Sequence, residues 1–178
     1  MEIVDLHCDL LLYLAFSPNR DPFHPVARCS AHQLKAGNVS LQILAIYAET
    51  KPHSLLLGLK QLEIFQSLSQ KYPEYFNSHN IRPAFENASA FALETEALDE
   101  VLERLENILT QIKPLYISLT WNGENRFGGG CGSASGLKKD GEELLTFLSG
   151  KGVAIDFSHA SDKLARDCLL YTSPSPRD

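Results

Sequence analysis

Two residues near the start of the chain could hold a cation. In Asp5-Leu6-His7-Cys8-Asp9 an imidazole and a carboxylate stand two positions apart. From Val4 the segment alternates apolar and polar residues, as a strand does. On a strand, positions i and i+2 point the same way. A nitrogen and an oxygen donor side by side at a strand end suit a divalent metal. A surface His/Asp pair is the competing reading. Asp5 shares that side, deeper in, where it orients a ligand or simply packs. Glu86, in Ala84-Phe85-Glu86-Asn87-Ala88, is an acid where a strand meets its loop. It is placed either to bridge two metal ions or to favour the positive end of a following helix. Asp156 and His159 follow a further apolar strand, in Ile155-Asp156-Phe157-Ser158-His159. His159 is open as a ligand, a substrate-binding group or a core histidine. Asp156 reads as an orienting group, and Ser161 as the cap of the next helix. His24, His32, His53 and His79 are scattered and look ordinary. No GxSxG elbow is present to support a serine nucleophile.

Elements that can position these groups alternate along the chain. Strands are expected at the opening segment, at Val39 to Ala48, Ile81 to Phe85, Pro114 to Thr120 and Val153 to Phe157. A short helical turn is expected at 32–37, before Gly37. Pro52 to Tyr72 reads as an amphipathic helix with Leu55, Leu59, Leu62, Phe65 and Leu68 on one face. Leu98 to Ile112 and Lys139 to Ser149 are further helices, and another begins near Ser161. Between them, 122–137 is a glycine-rich loop, longer than most such connections. Alternating apolar strands and helices imply a parallel sheet covered by helices. Polar residues close several strands on one side: His7 and Asp9, Glu49, Glu86, and Asp156 with His159. A (β/α)8 TIM barrel gathers its chemistry at such strand ends. A dinucleotide-binding fold needs a glycine fingerprint after its first strand, which is missing. Gly128-Gly129-Gly130-Cys131-Gly132 lacks the ending of a phosphate loop. Eight repeats of this length need about 300 residues or more, so the expected fold is a barrel cut to about its first half.

With 178 residues, 44% hydrophobic and 21% charged, the composition is that of a globular protein. A net charge of −6 argues against binding nucleic acid through its phosphates. No apolar run is long enough to span a bilayer, so no membrane partner is expected. The acid-containing start Met1 to Asp5 is unlike a signal peptide and points to the cytoplasm. Cys8, Cys29, Cys131 and Cys168 make no CxxC pair and are expected to be free, mostly buried thiols. The run Cys168 to Asp178 is spelled, in frame, by a transposon-type sequencing adapter. It is expected to be a read-through tail, with the barrel part occupying residues 1–167.

Taken together, four segments resemble membrane dipeptidases, the zinc peptidases of family M19. They are Asp5-Leu6-His7-Cys8-Asp9, Phe85-Glu86-Asn87, Leu119-Thr120-Trp121-Asn122, and Asp156-Phe157-Ser158-His159-Ala160-Ser161. The resemblance runs over nearly all of residues 3 to 167, in order. It implies a metal-dependent-hydrolase barrel in which His7 and Asp9 hold one zinc and Glu86 bridges two. Two zinc histidines and an acid are then expected on later strands. It implies substrate-binding or supporting roles for Trp121, Asn122, Asp156 and His159. Two positions depart from the family: Asn87 replaces a glycine, and Trp121 stands where some members have histidine. The implied reaction is hydrolysis of a dipeptide by water activated between two Zn2+ ions. The full-length protein is expected as a homodimer, and the chain by itself is expected to be inactive. A different barrel amidohydrolase, or a non-catalytic relative, is the alternative.

Overall fold

The computed structural model describes residues 2–172. Five strands, β1 (Ile3–Cys8), β2 (Val39–Tyr47), β3 (Ile81–Glu86), β4 (Tyr116–Ser118) and β5 (Ala154–Asp156), form one sheet. Every pairing is parallel and the strand order is sequential, β1 to β5. A doubly wound sheet reverses its order at a switch point. Here each strand is added on the same side, which is the order of a barrel. The sheet is also curled. Three strand spacings in a flat sheet span about 14 Å, beyond the reach of one tyrosine. Yet the Tyr116 hydroxyl of β4 lies 3.0 Å from the Leu6 carbonyl of β1.

Among the described residues, six α-helices accompany the strands: α1 (Leu10–Ala15), α2 (Ala31–Ala36), α3 (Ser54–Lys71), α4 (Leu98–Gln111), α5 (Lys139–Leu148) and α6 (Asp162–Thr172). Strand β2, paired with β1 on one side and β3 on the other, is covered on both faces, and Ile43, Leu44, Ala45 and Ile46 are fully buried. That explains its unbroken apolar sequence. By contrast, β1 has one free edge among the described residues, and Val4 and Leu6 are more than half exposed (57% and 56%). Helix α4 buries the expected stripe, with Val101, Leu105 and Ile108 inside.

Three features differ from the sequence expectation. Helix α1 is additional. It begins directly after β1, its N-cap residue Asp9 makes no capping bond, and its start therefore carries no local signal. In α3 the buried line is Ser54, Gly58, Gln61, Leu62 and Leu68, while Leu55, Leu59 and Phe65 are only half-buried. A polar side chain sits inside because it has work there: Gln61 accepts from the Tyr47 N–H (3.1 Å) and donates to the Tyr47 carbonyl (2.6 Å), closing the end of β2. Only Cys168 among the free thiols is fully buried; Cys131 is exposed. Helix α6 continues through residues 168–172, the first part of the suspected tail. The rest of that segment, 173–178, lies outside the described residues. No helix among the described residues is long and apolar enough to cross a membrane.

Gly58 shows how tightly α3 is seated. A Cβ there would overlap the carbonyl oxygen and carbon of Ala90, in the 3-10 turn Ala88–Ala90 that follows Glu86. Alanine gains about 1 kcal/mol of helix propensity over glycine. Displacing packed backbone costs about 3 kcal/mol, so the clash wins. Gly58→Ala is expected to lower stability by about 2 kcal/mol, read as an earlier urea midpoint. A later midpoint would show that the turn can yield.

Candidate metal centre

The strand ends converge at one rim of the sheet. Glu86 ends β3 and is buried, with 7% of its surface exposed. Its two carboxylate oxygens face different neighbours. Oε2 is 3.5 Å from His7 Nε2, and Oε1 is 2.9 Å from His159 Nε2. His7 Nε2 is also 3.6 Å from Asp9 Oδ1. His7, Asp9 and Glu86 thus offer one nitrogen and two oxygen donors that all lie within 4.8 Å of one another. That donor set fits a divalent metal of borderline or hard character. Glu86 reaches the His7 and Asp9 pair read from the sequence from two strands away.

Each imidazole is held from behind. His7 Nδ1 is 3.0 Å from the Tyr116 hydroxyl, and His159 Nδ1 is 3.2 Å from Asn122 Oδ1. Both Nε2 atoms are left facing Glu86. Asp156 fixes the turn that presents His159. Its Oδ2 accepts from Ser118 Oγ (2.6 Å), and its Oδ1 accepts from the Ser158 N–H (3.1 Å) and Oγ (2.6 Å). Asp5 lies one step back and accepts the His7 N–H at 3.2 Å. Trp121 packs edge-on against Tyr47, with ring centroids 5.2 Å apart, and lies 5.9 Å from the His159 ring. The glycine-rich loop permits this approach: a Cβ at Gly130 would overlap the Trp121 carbonyl.

Asn87 takes the place where the sequence departs from glycine. Its backbone is at φ 77°, a conformation that costs an ordinary residue about 1–3 kcal/mol. Its fully buried side chain holds it there. Nδ2 donates to the Ala48 carbonyl (2.8 Å) and Thr50 Oγ1 (3.2 Å). Oδ1 accepts from the Ser89 N–H (3.2 Å) and Asn125 Nδ2 (3.0 Å). One side chain so ties the loops after β2, β3 and β4 beside Glu86.

The electrostatics follow from crowding. Burial pushes the Glu86 carboxyl above its usual range, with His7 pulling in the opposite direction. The Asp9 carboxylate beside it lifts the His7 imidazole above its usual value, against the effect of burial. Burial likewise raises the Tyr116 phenol, so it stays protonated. A hollow of about 270 Å3 opens over this group, lined by Leu6, His7, Glu86, Tyr116, Asp156, Ser158 and His159. A second hollow, of about 470 Å3, shares His7 with it and is also lined by Asp9, Arg20 and Arg28. A larger one, of about 630 Å3, lies between α5, β5 and α6, away from these groups.

His7, Asp9, Glu86, Trp121, Asn122, Asp156 and His159 all fall at or around this rim. The sequence leaves His159 among three roles; the structure sets its Nε2 against the second oxygen of Glu86. Tyr116 carried no signal of its own. It is an aromatic in a strand, and only the curl of the sheet brings it to His7.

The sequence profile of the membrane dipeptidase family, peptidase family M19, matches residues 1–176. No curated protein sequence matches the chain. Among solved structures, a metallopeptidase from Rhodobacter sphaeroides bound to a phosphinate mimic of the dipeptide L-Ala-D-Ala superposes with a TM-score of 0.74 at 16% identity, covering 96% of this chain and 62% of that one. The dipeptidase AC, a family M19 metallopeptidase, gives 0.70 at 15% identity, covering 96% and 60%. The probable dipeptidase PvdM from Pseudomonas aeruginosa gives 0.66 at 15% identity, covering 80% and 42%. The chain thus spans about three fifths of the length of the first two. Its curled five-stranded sheet corresponds to the first half of their (β/α)8 barrel.

Proposed function

Since the chain belongs to the membrane dipeptidase family, peptidase family M19, we propose that it is part of a zinc hydrolase cleaving small dipeptides. The observation that carries this reading is the Glu86 carboxylate, which faces His7 with one oxygen and His159 with the other. His7, Asp9 and Glu86 Oε2 would hold one Zn2+. Glu86 Oε1 and His159 would begin the site of a second, with further ligands outside this chain. Metal held there supplies a Lewis acid for the scissile carbonyl and lowers the pKa of a water. The protein's own groups do the positioning. Asp156 and Asn122 aim His159. Trp121 and Tyr47 form a fixed aromatic wall beside it. The guanidinium groups of Arg20 and Arg28, in the adjoining hollow, suit the carboxylate of a short peptide.

The test uses the whole protein: dipeptide cleavage with zinc, after chelation, and with His7→Ala. Chelation and the variant should each abolish turnover; undiminished cleavage in either would sink the proposal. The chain alone is expected to bind metal without turning over substrate.

Metal uptake should also depend on pH. A ligand imidazole must be neutral, and Asp9 raises the proton affinity of His7. Protons therefore compete with the metal from below the unperturbed histidine value up through the raised one. Zinc affinity is expected to rise as pH climbs from below the ordinary histidine value through the raised one, then level off. Calorimetry in buffers of differing ionisation heat should detect the released proton. An affinity that is flat over this range would exclude His7 as a ligand.

A further inference from the structure

We propose that the Tyr116 hydroxyl is a positioning group for His7, holding Nδ1 so that Nε2 turns its lone pair toward Asp9 and Glu86. Its functional meaning rests on the metal reading above; the placement of the proton does not. The Tyr116 oxygen is 3.0 Å from the Leu6 carbonyl and 3.0 Å from His7 Nδ1. A phenol has one proton to give. A carbonyl only accepts, so that proton goes to Leu6. The phenol oxygen is then the acceptor for His7, and Nδ1 carries the hydrogen. In a neutral imidazole the other nitrogen is left bare. That nitrogen, Nε2, is the one 3.5 Å from Glu86 Oε2 and 3.6 Å from Asp9 Oδ1. The opposite tautomer would point an N–H where a cation must bind.

The backbone of β1 does not provide this hold by itself. Its register with β2 shifts between Asp5 and Cys8, so Leu6 and His7 lie in an irregular stretch at a free sheet edge. Tyr116 grips both residues at once, from across the concave face. It touches the metal ligand and acts through it, as outer-shell partners of metal-binding histidines do.

The test is a long-range 1H–15N correlation spectrum of the histidine rings in this chain, taken where His7 is neutral, beside Tyr116→Phe. The unaltered chain should show His7 as the Nδ1–H tautomer, and the variant should shift it toward Nε2–H. Zinc affinity, read by competition with a chromophoric chelator, should fall about 10–100-fold with Asp9 and Glu86 untouched. Finding Nε2–H in the unaltered chain overturns the proposal, and does so even if the variant fails to fold. An unchanged tautomer in a folded variant, or a shifted tautomer with unchanged zinc affinity, also overturns it. If the chain takes up no zinc but the tautomer shifts, the metal reading fails while the placement of the proton stands.

Discussion

Asn87→Ala is expected to destabilise the protein by about 3 kcal/mol or more, and more than Asn87→Gly does. Two effects add in the alanine variant. The first is loss of the latch: the Ala48 carbonyl and the Ser89 N–H lose their side-chain partner in a fully buried place. Leaving buried polar groups unpaired costs about 1–3 kcal/mol each. The second is strain, because alanine has no side-chain bonds to hold it at φ 77°, where a Cβ is disfavoured. Glycine shares the first loss and escapes the second, so it should recover about 1–2 kcal/mol. Urea unfolding of the three proteins gives the order directly. Equal stabilities for the two variants would mean that the backbone relaxes without cost. Because Asn87 follows Glu86 in sequence, both variants should also weaken zinc binding.

Glu86→Gln separates the needs of the fold from those of the site. The carboxyl is buried and its proton affinity is raised chiefly by that burial, so the ionised form is costly there. Glutamine has the same shape and no charge. The metal-free chain is therefore expected to be as stable as before, or more so, at neutral pH. Zinc affinity should drop by at least about 100-fold, because removing a ligand exceeds the effect of removing its outer-shell support. Thermal melts with and without zinc read both quantities. The unaltered chain should gain stability with added zinc and the variant should not. A variant that melts much lower without metal would make Glu86 a structural ion-pair partner instead of a ligand.

Much of this arrangement is legible in the sequence because it obeys simple periods. His7 and Asp9 are two apart on a strand, and Glu86 and Asp156 sit where apolar runs end. The alternation of strands with helices, and the missing glycine fingerprint, direct the fold to a barrel order. What was not legible depends on long-range geometry. Tyr116 reaches His7 only because β4 curls over β1. His159 meets Glu86 only because β5 is laid beside β4, next but one to β3. Asn87 looked like a weakened match to glycine; its positive φ is maintained by partners from three loops, which no local pattern reveals. Helix α1 had neither cap nor periodicity to announce it, and the inward turn of Gln61 answers the end of β2, distant in sequence.

The central claim is that Glu86 joins histidine and carboxylate ligands around zinc. X-ray absorption at the zinc edge of the loaded chain tests it most directly. A first shell of nitrogen and oxygen alone, at about 2.0–2.2 Å, with the outer scattering of imidazole, is expected, and Glu86→Gln should abolish it. A zinc–sulfur distance of about 2.3 Å would place the metal on Cys8, Cys29 or Cys131 and contradict the claim.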